Sequence, residues 1–366
     1  MFFKSQQTSC CSFKGLCAVV SAMFILTIQA LGAKVESIVV ATWNAENLFD
    51  TVTNHVNGSD GEFTPQSWRR WTPERYNKKL DNMAWVISKI DPDILCMQEV
   101  ENEGVARDLM ARINKTHGKK LVHLAHVDSG DYRGIDNILI SRYPVTNVVY
   151  SPDGYDRGTL VADVEVDGTT ITFFVCHWKS QSGDAVENIA IRTRQALEVR
   201  SNVIAKLEEN PMASIVIAGD FNENFDDVSP SKTFGAKTNR VESLSTSDGT
   251  ISLYNLLGDV PTEMRGTYYY ARRKVWNTFD SIIVPPTMLA PDGEAGPDWR
   301  VPRADLGFTK VFVLPEMREQ EDGRPKAFRR VRIKGKPDNY YEEGYSDHFP
   351  VVTTLKRATK QEQRRK

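Results

Sequence analysis

The sequence predicts an α/β fold of two packed β-sheets flanked by helices, and three observations predict it. Short apolar runs of strand length recur at 39–42, 94–97, 172–176, 215–218 and 281–284. Stretches with apolar residues at helical spacing lie between them, and strands alternating with helices must cover sheet faces with helices. Each run also ends in an acid, an amide or a histidine, from Asn44 to His348. The two ends of the chain must therefore meet in space. That argues for one large domain in a chain of 366 residues, of which 40% are hydrophobic, ample for a core.

Residues 1–33 read as a secretory leader: Lys4 and Lys14 precede an apolar stretch from Leu16 to Ile28, then Ala30-Leu31-Gly32-Ala33. The stretch is short for a spanning helix. Cleavage is expected near Gly32 or Ala33, leaving a secreted or periplasmic protein with no stable membrane insertion. The catalytic domain is expected over 34–356, and a polar basic tail over 357–366.

In the first strand Asn44 and Glu46 are two apart and share a face. Residues 50–70 read as a polar loop. Thr72-Pro73 suits a helix start, with proline at the first helical position. Tyr76, Leu80, Met83 and Ile87 then repeat at helical spacing, as do Val105, Leu109 and Ile113 further on. Between these helices, Asp93-Ile94-Leu95-Cys96-Met97-Gln98-Glu99-Val100 is a strand ending in Glu99, a hard oxygen ligand.

The strand at 172–176 delivers His177. A long helix is expected over 186–208, with Ala196, Val199, Val203 and Leu207 inward. In Ile215-Val216-Ile217-Ala218-Gly219-Asp220-Phe221-Asn222, Gly219 permits a turn or a close approach, and Asp220 and Asn222 emerge on one side. A carboxylate that orients a metal or a water, beside an amide that donates to a phosphoryl oxygen, suits a metal-bound phosphate. Asp280 opens the strand Asp280-Ser281-Ile282-Ile283-Val284 and is placed to orient a histidine. Finally, Tyr345-Ser346-Asp347-His348-Phe349-Pro350 sets a potential cation ligand beside a proton carrier. The long connections at 223–265 and 285–340 are expected to shape substrate choice.

Taken singly, each polar strand end also suits an ordinary turn; chance explains all six poorly. With WNAEN, MQE, HWKS, GDFN, FDSIIV and SDHFP in order across 39–352, the chain resembles the endonuclease/exonuclease/phosphatase superfamily. That superfamily includes pancreatic deoxyribonuclease, abasic-site endonucleases and sphingomyelinases. WNAENLFD, HWKS and the aromatic Thr267-Tyr268-Tyr269-Tyr270 look most like secreted bacterial members usually called nucleases.

The resemblance implies a four-layer α/β sandwich of two mixed sheets, like deoxyribonuclease I, and a site. Glu99 is implied as the principal metal carboxylate, assisted by Asn44, Glu46 and Asp347. His177 is implied to contact the scissile phosphate or protonate the leaving group. Asp220 and Asn222 position the attacking water and stabilise the transition state, and His348 pairs with Asp280. The resemblance leaves open whether His348 or Asp220 takes the water's proton. It also offers Asp136 as a partner for His177.

The chemistry stands without the family. Phosphodiester hydrolysis needs an activated water, charge neutralisation and help for the leaving alkoxide, and Mg²⁺ or Mn²⁺ supplies the neutralisation. Fixed donors from Asn44, Asn222 and His177 would add ~3 kcal/mol each. The donor set is oxygen-rich and cysteine-free, which favours Mg²⁺, Mn²⁺ or Ca²⁺ over zinc. No HExxH, paired CxxC, GxSxG or Walker loop is present.

Without the leader the net charge is −4, unlike the strong basic excess common among sequence-independent DNA binders. Basic residues are instead local. Arg272-Arg273-Lys274 lies between three tyrosines and Trp276, and Arg329, Arg330, Arg332, Lys334 and Lys336 form a second cluster. Arg272 and Arg273 suit a phosphate backbone and Trp276 a stacked base; a solvated basic loop is the plainer alternative. Of five cysteines, only Cys96 and Cys176 survive loss of the leader, both in apolar runs, where buried free thiols are expected.

The expected function is therefore that of a monomeric, metal-dependent phosphodiester hydrolase, a nuclease for DNA or RNA. A first alternative is a phosphoesterase for a phospholipid headgroup or a sugar or inositol phosphate. A sphingomyelinase would show an exposed hydrophobic hairpin, and the sequence contains no convincing one. A second alternative is a catalytically silent binding module on the same scaffold, against which the intact acids and histidines argue.

Overall fold

The computed structural model describes residues 34–358 except 55–57, 117–119, 156, 245–250, 292–293, 305–306 and 333–339. The expected leader, the tail from 359, Lys334 and Lys336 lie outside the described residues.

Two seven-stranded mixed sheets face one another, with strands numbered along the chain. The first runs β14 (Trp299–Arg300), β18 (Val351–Arg357), β1 (Ser37–Leu48), β2 (Ile94–Val100), β4 (Asp136–Ser141), β3 (His123–His126), and β15 (Lys310–Val311) also pairs with β18. The second runs β5 (Val145–Ser151), β6 (Thr159–Val166), β7 (Thr169–His177), β8 (Ser214–Asp220), β13 (Asp280–Val284), β10 (Leu253–Asn255), β9 (Ala236–Lys237). β11 (Tyr268–Tyr270) with β12 (Val275–Asn277), and β16 (Arg329–Arg332) with β17 (Tyr340–Glu343), form separate hairpins.

The central strands are apolar because both of their faces are covered. Every residue of β8 is buried, as is most of β2. β1 packs on β8 and β13, and β2 on β7 and β8. Outside the first sheet lie α1 (Pro73–Ile90) and α2 (Glu103–Thr116), packed on each other. Thr72 caps α1 by accepting from the Arg75 amide, with Pro73 at its first turn, as the sequence predicts. α3 (Ala185–Glu209) covers the second sheet. Its Ala196, Val199, Val203 and Leu207 share an apolar cluster with Phe174, Ile215 and Ile217.

The segment expected as a polar loop is partly built. Residues Ser59–Phe63 form a 3-10 turn, and buried Phe63 stacks on Phe49 at 3.9 Å. Cys96 and Cys176 are free and buried, and burial pushes both thiols up, Cys176 to about 12. No described helix is long and apolar enough to cross a membrane.

Register fixes what the strand ends present. β7 pairs with β8 so that His177 lies opposite Asp220, and β13 pairs with β8 so that Asp280 also lies opposite Asp220. On the first sheet β1 pairs with β2 to the Asn44–Gln98 step, just before Glu99.

Candidate active site

At Gly219 a Cβ would lie 1.9 Å from the Cys176 carbonyl oxygen on neighbouring β7, so only glycine fits. The next residue, Asp220, is buried at the sheet's end. Backbone then turns sharply at the functional positions. Glu46, Asn47, Glu99 and Asn222 all have left-handed φ, between 51° and 61°. Such conformations are costly for residues other than glycine and collect where function needs a particular side-chain direction.

Asn44 joins the two sheets. Its amide nitrogen donates to Asp220 Oδ2 at 2.9 Å and to Glu99 Oε1 at 3.3 Å, while its oxygen accepts from the Glu46 amide. Both of its N–H groups are thus committed to holding the acids. Glu99 Oε2 accepts from the Asn47 amide at 2.9 Å. Asn222 donates to the Trp178 carbonyl at 3.0 Å, and its backbone N–H caps Asp220 at 2.8 Å.

His348 stands in a turn held by Ser346, whose hydroxyl donates to the Asn44 carbonyl. Trp43 donates its indole N–H to the His348 carbonyl at 2.9 Å. The ring's Nδ1 meets Asp280 Oδ2 at 2.7 Å; its Nε2 faces Asp347 at 3.8 Å and Asp220 at 3.9 Å. Burial alone would lower its pKa, but the three carboxylates outweigh burial and raise it well above the ordinary histidine value. With acceptors facing both nitrogens, the imidazolium is the favoured form.

His177 is the opposite case. It lies 3.8 Å from both Glu99 and Asp220, yet Arg157 is nearer, its guanidinium 2.9 Å from Nε2. Burial, then Arg157, hold its pKa well below the ordinary value, so it is neutral and accepts from the arginine. Arg157 is held by buried Asp131 at 3.3 Å. Asp136 is not the partner of His177: it is bound to His126 at 2.7 Å and to the Ser129 amide and hydroxyl. The β-ladder puts Asp136 beside Val100.

The acids of the first sheet repel one another. Burial, then Asp347, raise the Glu46 pKa to about 8, and Glu99 adds to the effect. Asp347 shifts upward too, through burial and then Glu99, although two-fifths of its side chain faces the cleft and water there tempers the effect. Asp220 rises to about 7, through burial first. Lys79 of α1 reaches the Glu46 and Asn47 carbonyls, and its charge offsets part of the repulsion. Carboxylates that repel one another despite Lys79 and His348 suit a hard divalent ion. Asp220, Asp280 and His348 also present ligand atoms within 4.8 Å of one another. There the Asp280–His348 hydrogen bond already uses one oxygen and one nitrogen.

A cleft of about 770 Å³ opens over these groups, reached by Glu99, His177, Asp220, Asn222, Asp347 and His348 together. Asp280 and Asn44 stand behind them. Sequence reasoning missed Lys79, Arg133, Arg157 and Tyr268, which surround the same place. Tyr268 lies against the His348 ring at 4.9 Å, and Arg133 donates to Asn47. Lys79 shares the helical face of Tyr76, Leu80 and Met83, a signal that could have marked it; Arg157 sits in a loop without any motif. Of the hairpin residues, Arg273 lines the cleft, while Arg272 and Trp276 do not. Trp276 packs instead on Tyr269 and Phe349, with Gly266 beneath its ring.

The comparisons with known proteins agree with this architecture. Humanized D. rerio TDP2 superposes with a TM-score of 0.52 at 14% identity, over 87% of this chain and 98% of that one. An endonuclease/exonuclease/phosphatase family protein from Bacteroides thetaiotaomicron does so with 0.52 at 16%, over 87% and 97%. Beta toxin from Staphylococcus aureus, with bound magnesium ions, does so with 0.51 at 15%, over 88% and 99%. At these identities the likeness is one of fold. No curated protein matches the sequence. The family model described as "Endonuclease/Exonuclease/phosphatase family" matches residues 39–357, from the first strand to the last, and the chain therefore belongs to that family of phosphoesterases.

Proposed function

We propose that the protein is a divalent-metal-dependent phosphodiester hydrolase, a nuclease, that acts by in-line attack of water. The observation that carries this reading is the junction of two unlike groups in one cleft. Asn44 ties Glu99 of one sheet to Asp220 of the other, and His348 bonds Asp280 beside them.

Glu99, with Glu46 and Asp347 about it, would hold Mg²⁺ or Mn²⁺. The bound ion supplies neutralisation of the phosphoryl charge. Asp220, fixed by Asn44 and the Asn222 amide, orients the attacking water, and the Asp220–His348 pair handles its proton. Asp280 holds the His348 ring. Arg157 brings a buried cation toward the phosphate's developing charge, and neutral His177, accepting from it, holds it in place. Substrate polarity follows from the hairpin at the cleft edge. Its turn is Arg272-Arg273-Lys274, suited to a polyanion rather than to an apolar lipid surface. The leader composition supports a secreted or periplasmic site of action.

Hydrolysis of bis-p-nitrophenyl phosphate in Mg²⁺ or Mn²⁺ tests the chemistry, with EDTA abolishing the rate. Glu99→Ala and His348→Ala should each lower it several hundredfold, within the range of about 10²–10⁴ for a positioned acid–base group. Near-wild-type rates in both variants refute the site. A parallel panel of plasmid DNA, RNA, sphingomyelin and phosphomonoesters decides the substrate.

A further inference from the structure

A second cavity, of about 650 Å³, lies outside the catalytic cleft. The turn preceding α1 forms one wall and the hairpin β16–β17 the other. Its lining is almost wholly arginine and aromatic. The guanidinium carbons sit over rings: Arg69 at 4.5 Å from Trp68 and 4.8 Å from Phe63, Arg75 at 5.0 Å from Trp71, and Arg330 at 4.1 Å from Tyr340. Trp68 is 76% exposed, although a tryptophan of this size is ordinarily covered.

The cavity adjoins the catalytic acids through one residue. Phe328 contributes its ring to the cavity, and its backbone N–H donates to Glu46 Oε2 at 2.9 Å.

The arginines are not bare charges. Arg69 pairs with Glu62, Arg75 with Glu342, and Arg329 with Glu319 and Glu343. A ligand recognised by charge alone, such as a sulfated glycan or an anionic headgroup, would find most of that charge already answered. There remains a set of planar cationic and aromatic groups, the arginines held by carboxylates, with exposed Arg70 among them. Such faces suit planar rings joined by anionic linkers.

We propose that this cavity binds single-stranded nucleic acid, with a base stacked on Trp68 and the adjoining phosphate at Arg70, and so holds a strand that passes on to the catalytic cleft. This deepens the nuclease reading and rests on it for the strand's destination. A base inside a duplex has no free face, so the pocket selects unpaired segments.

The test is fluorescence anisotropy of the full-length protein with a labelled oligothymidylate and with a hairpin duplex, both in EDTA. Bis-p-nitrophenyl phosphate hydrolysis in Mn²⁺ is measured alongside. Trp68→Ala should weaken single-strand binding roughly tenfold, in line with the loss of one stacked base. Arg70→Ala should weaken it less, and both variants should hydrolyse the small substrate at the wild-type rate. Unchanged oligonucleotide affinity in Trp68→Ala overturns the proposal, as does equal affinity for strand and duplex in the wild type. Wild-type protein that binds the strand through Trp68 but hydrolyses only another phosphoester supports the pocket and refutes the nuclease. Protein that cleaves the strand with an unaltered KM in Trp68→Ala does the reverse.

Discussion

The two sheets contribute unlike halves of one site. The first carries Asn44, Glu46 and Glu99, with Asp347 just ahead of β18, and its acids press on one another. The second carries His177, Asp220, Asn222 and Asp280, and there nearly every charge has a built partner: Asp280 for His348, the Asn222 amide for Asp220, Arg157 beside His177. His177 Nδ1 and Asp280 Oδ1 still lack a hydrogen bond there, whereas in the first half the unmet demand is charge rather than hydrogen bonding. On the proposed mechanism, a site divided in this way separates the group that neutralises charge from the groups that move protons, and each can be disabled alone.

The largest expected effect belongs to the proton-handling half. Asp220→Asn should lower kcat by about 10³-fold, and raising the magnesium concentration should not restore it. Glu99→Gln should also lose activity, about a hundredfold at limiting magnesium, but excess magnesium should recover part of it. Titrations of rate against magnesium for the two variants check this. Matching responses would erase the distinction between the halves.

A packing change comes next. Gly219→Ala drives a methyl into the Cys176 carbonyl where the two central strands touch. It should destabilise the protein by about 3 kcal/mol, read as a shift of the urea midpoint, and lower activity by displacing Asp220. An unaltered midpoint would mean that β7 and β8 can part more easily than their ladder indicates.

The smallest effect concerns the metal-free protein. Glu46 has a folded pKa of about 8 against an ordinary 4.5, so the folded state holds the proton more tightly than the unfolded chain. Its contribution to stability is therefore full below about pH 4.5 and is lost as pH rises to about 8. In EDTA the melting temperature should fall by a few degrees across that window, and Glu46→Gln should flatten the fall. Saturating magnesium should raise the melting point most at the alkaline end. At a hundred times its dissociation constant the ion adds about 2.7 kcal/mol. A melting curve insensitive to both pH and magnesium would show that the first sheet's acids are not under mutual strain.

Much of this is legible in the sequence because strands speak plainly. An apolar run such as 215–218 must be buried, and the residues just beyond it must emerge at a sheet end; Asp220 and Asn222 need no more than that. The start of α1, marked by Thr72-Pro73, and both ends of α3 fall within a residue of expectation. Partnerships between distant residues are harder to read. Family likeness pairs His348 with Asp280 correctly, but it offers His177 the wrong partner, Asp136, where the fold provides Arg157. No local pattern records which loop crosses a strand end. Lys79 escapes notice because lysine reads as solvated, although here its stem lies along the buried face of α1 and its ammonium caps two carbonyls.

The left-handed backbone at Glu46 and Glu99 has an evolutionary corollary. Glycine would sit there at ease, whereas glutamate costs about 1–3 kcal/mol in such a conformation. A laboratory selection for heat resistance alone would reward replacing these glutamates and so breed sturdy, inert descendants. Any thermostabilisation of this chain must screen for turnover at every round.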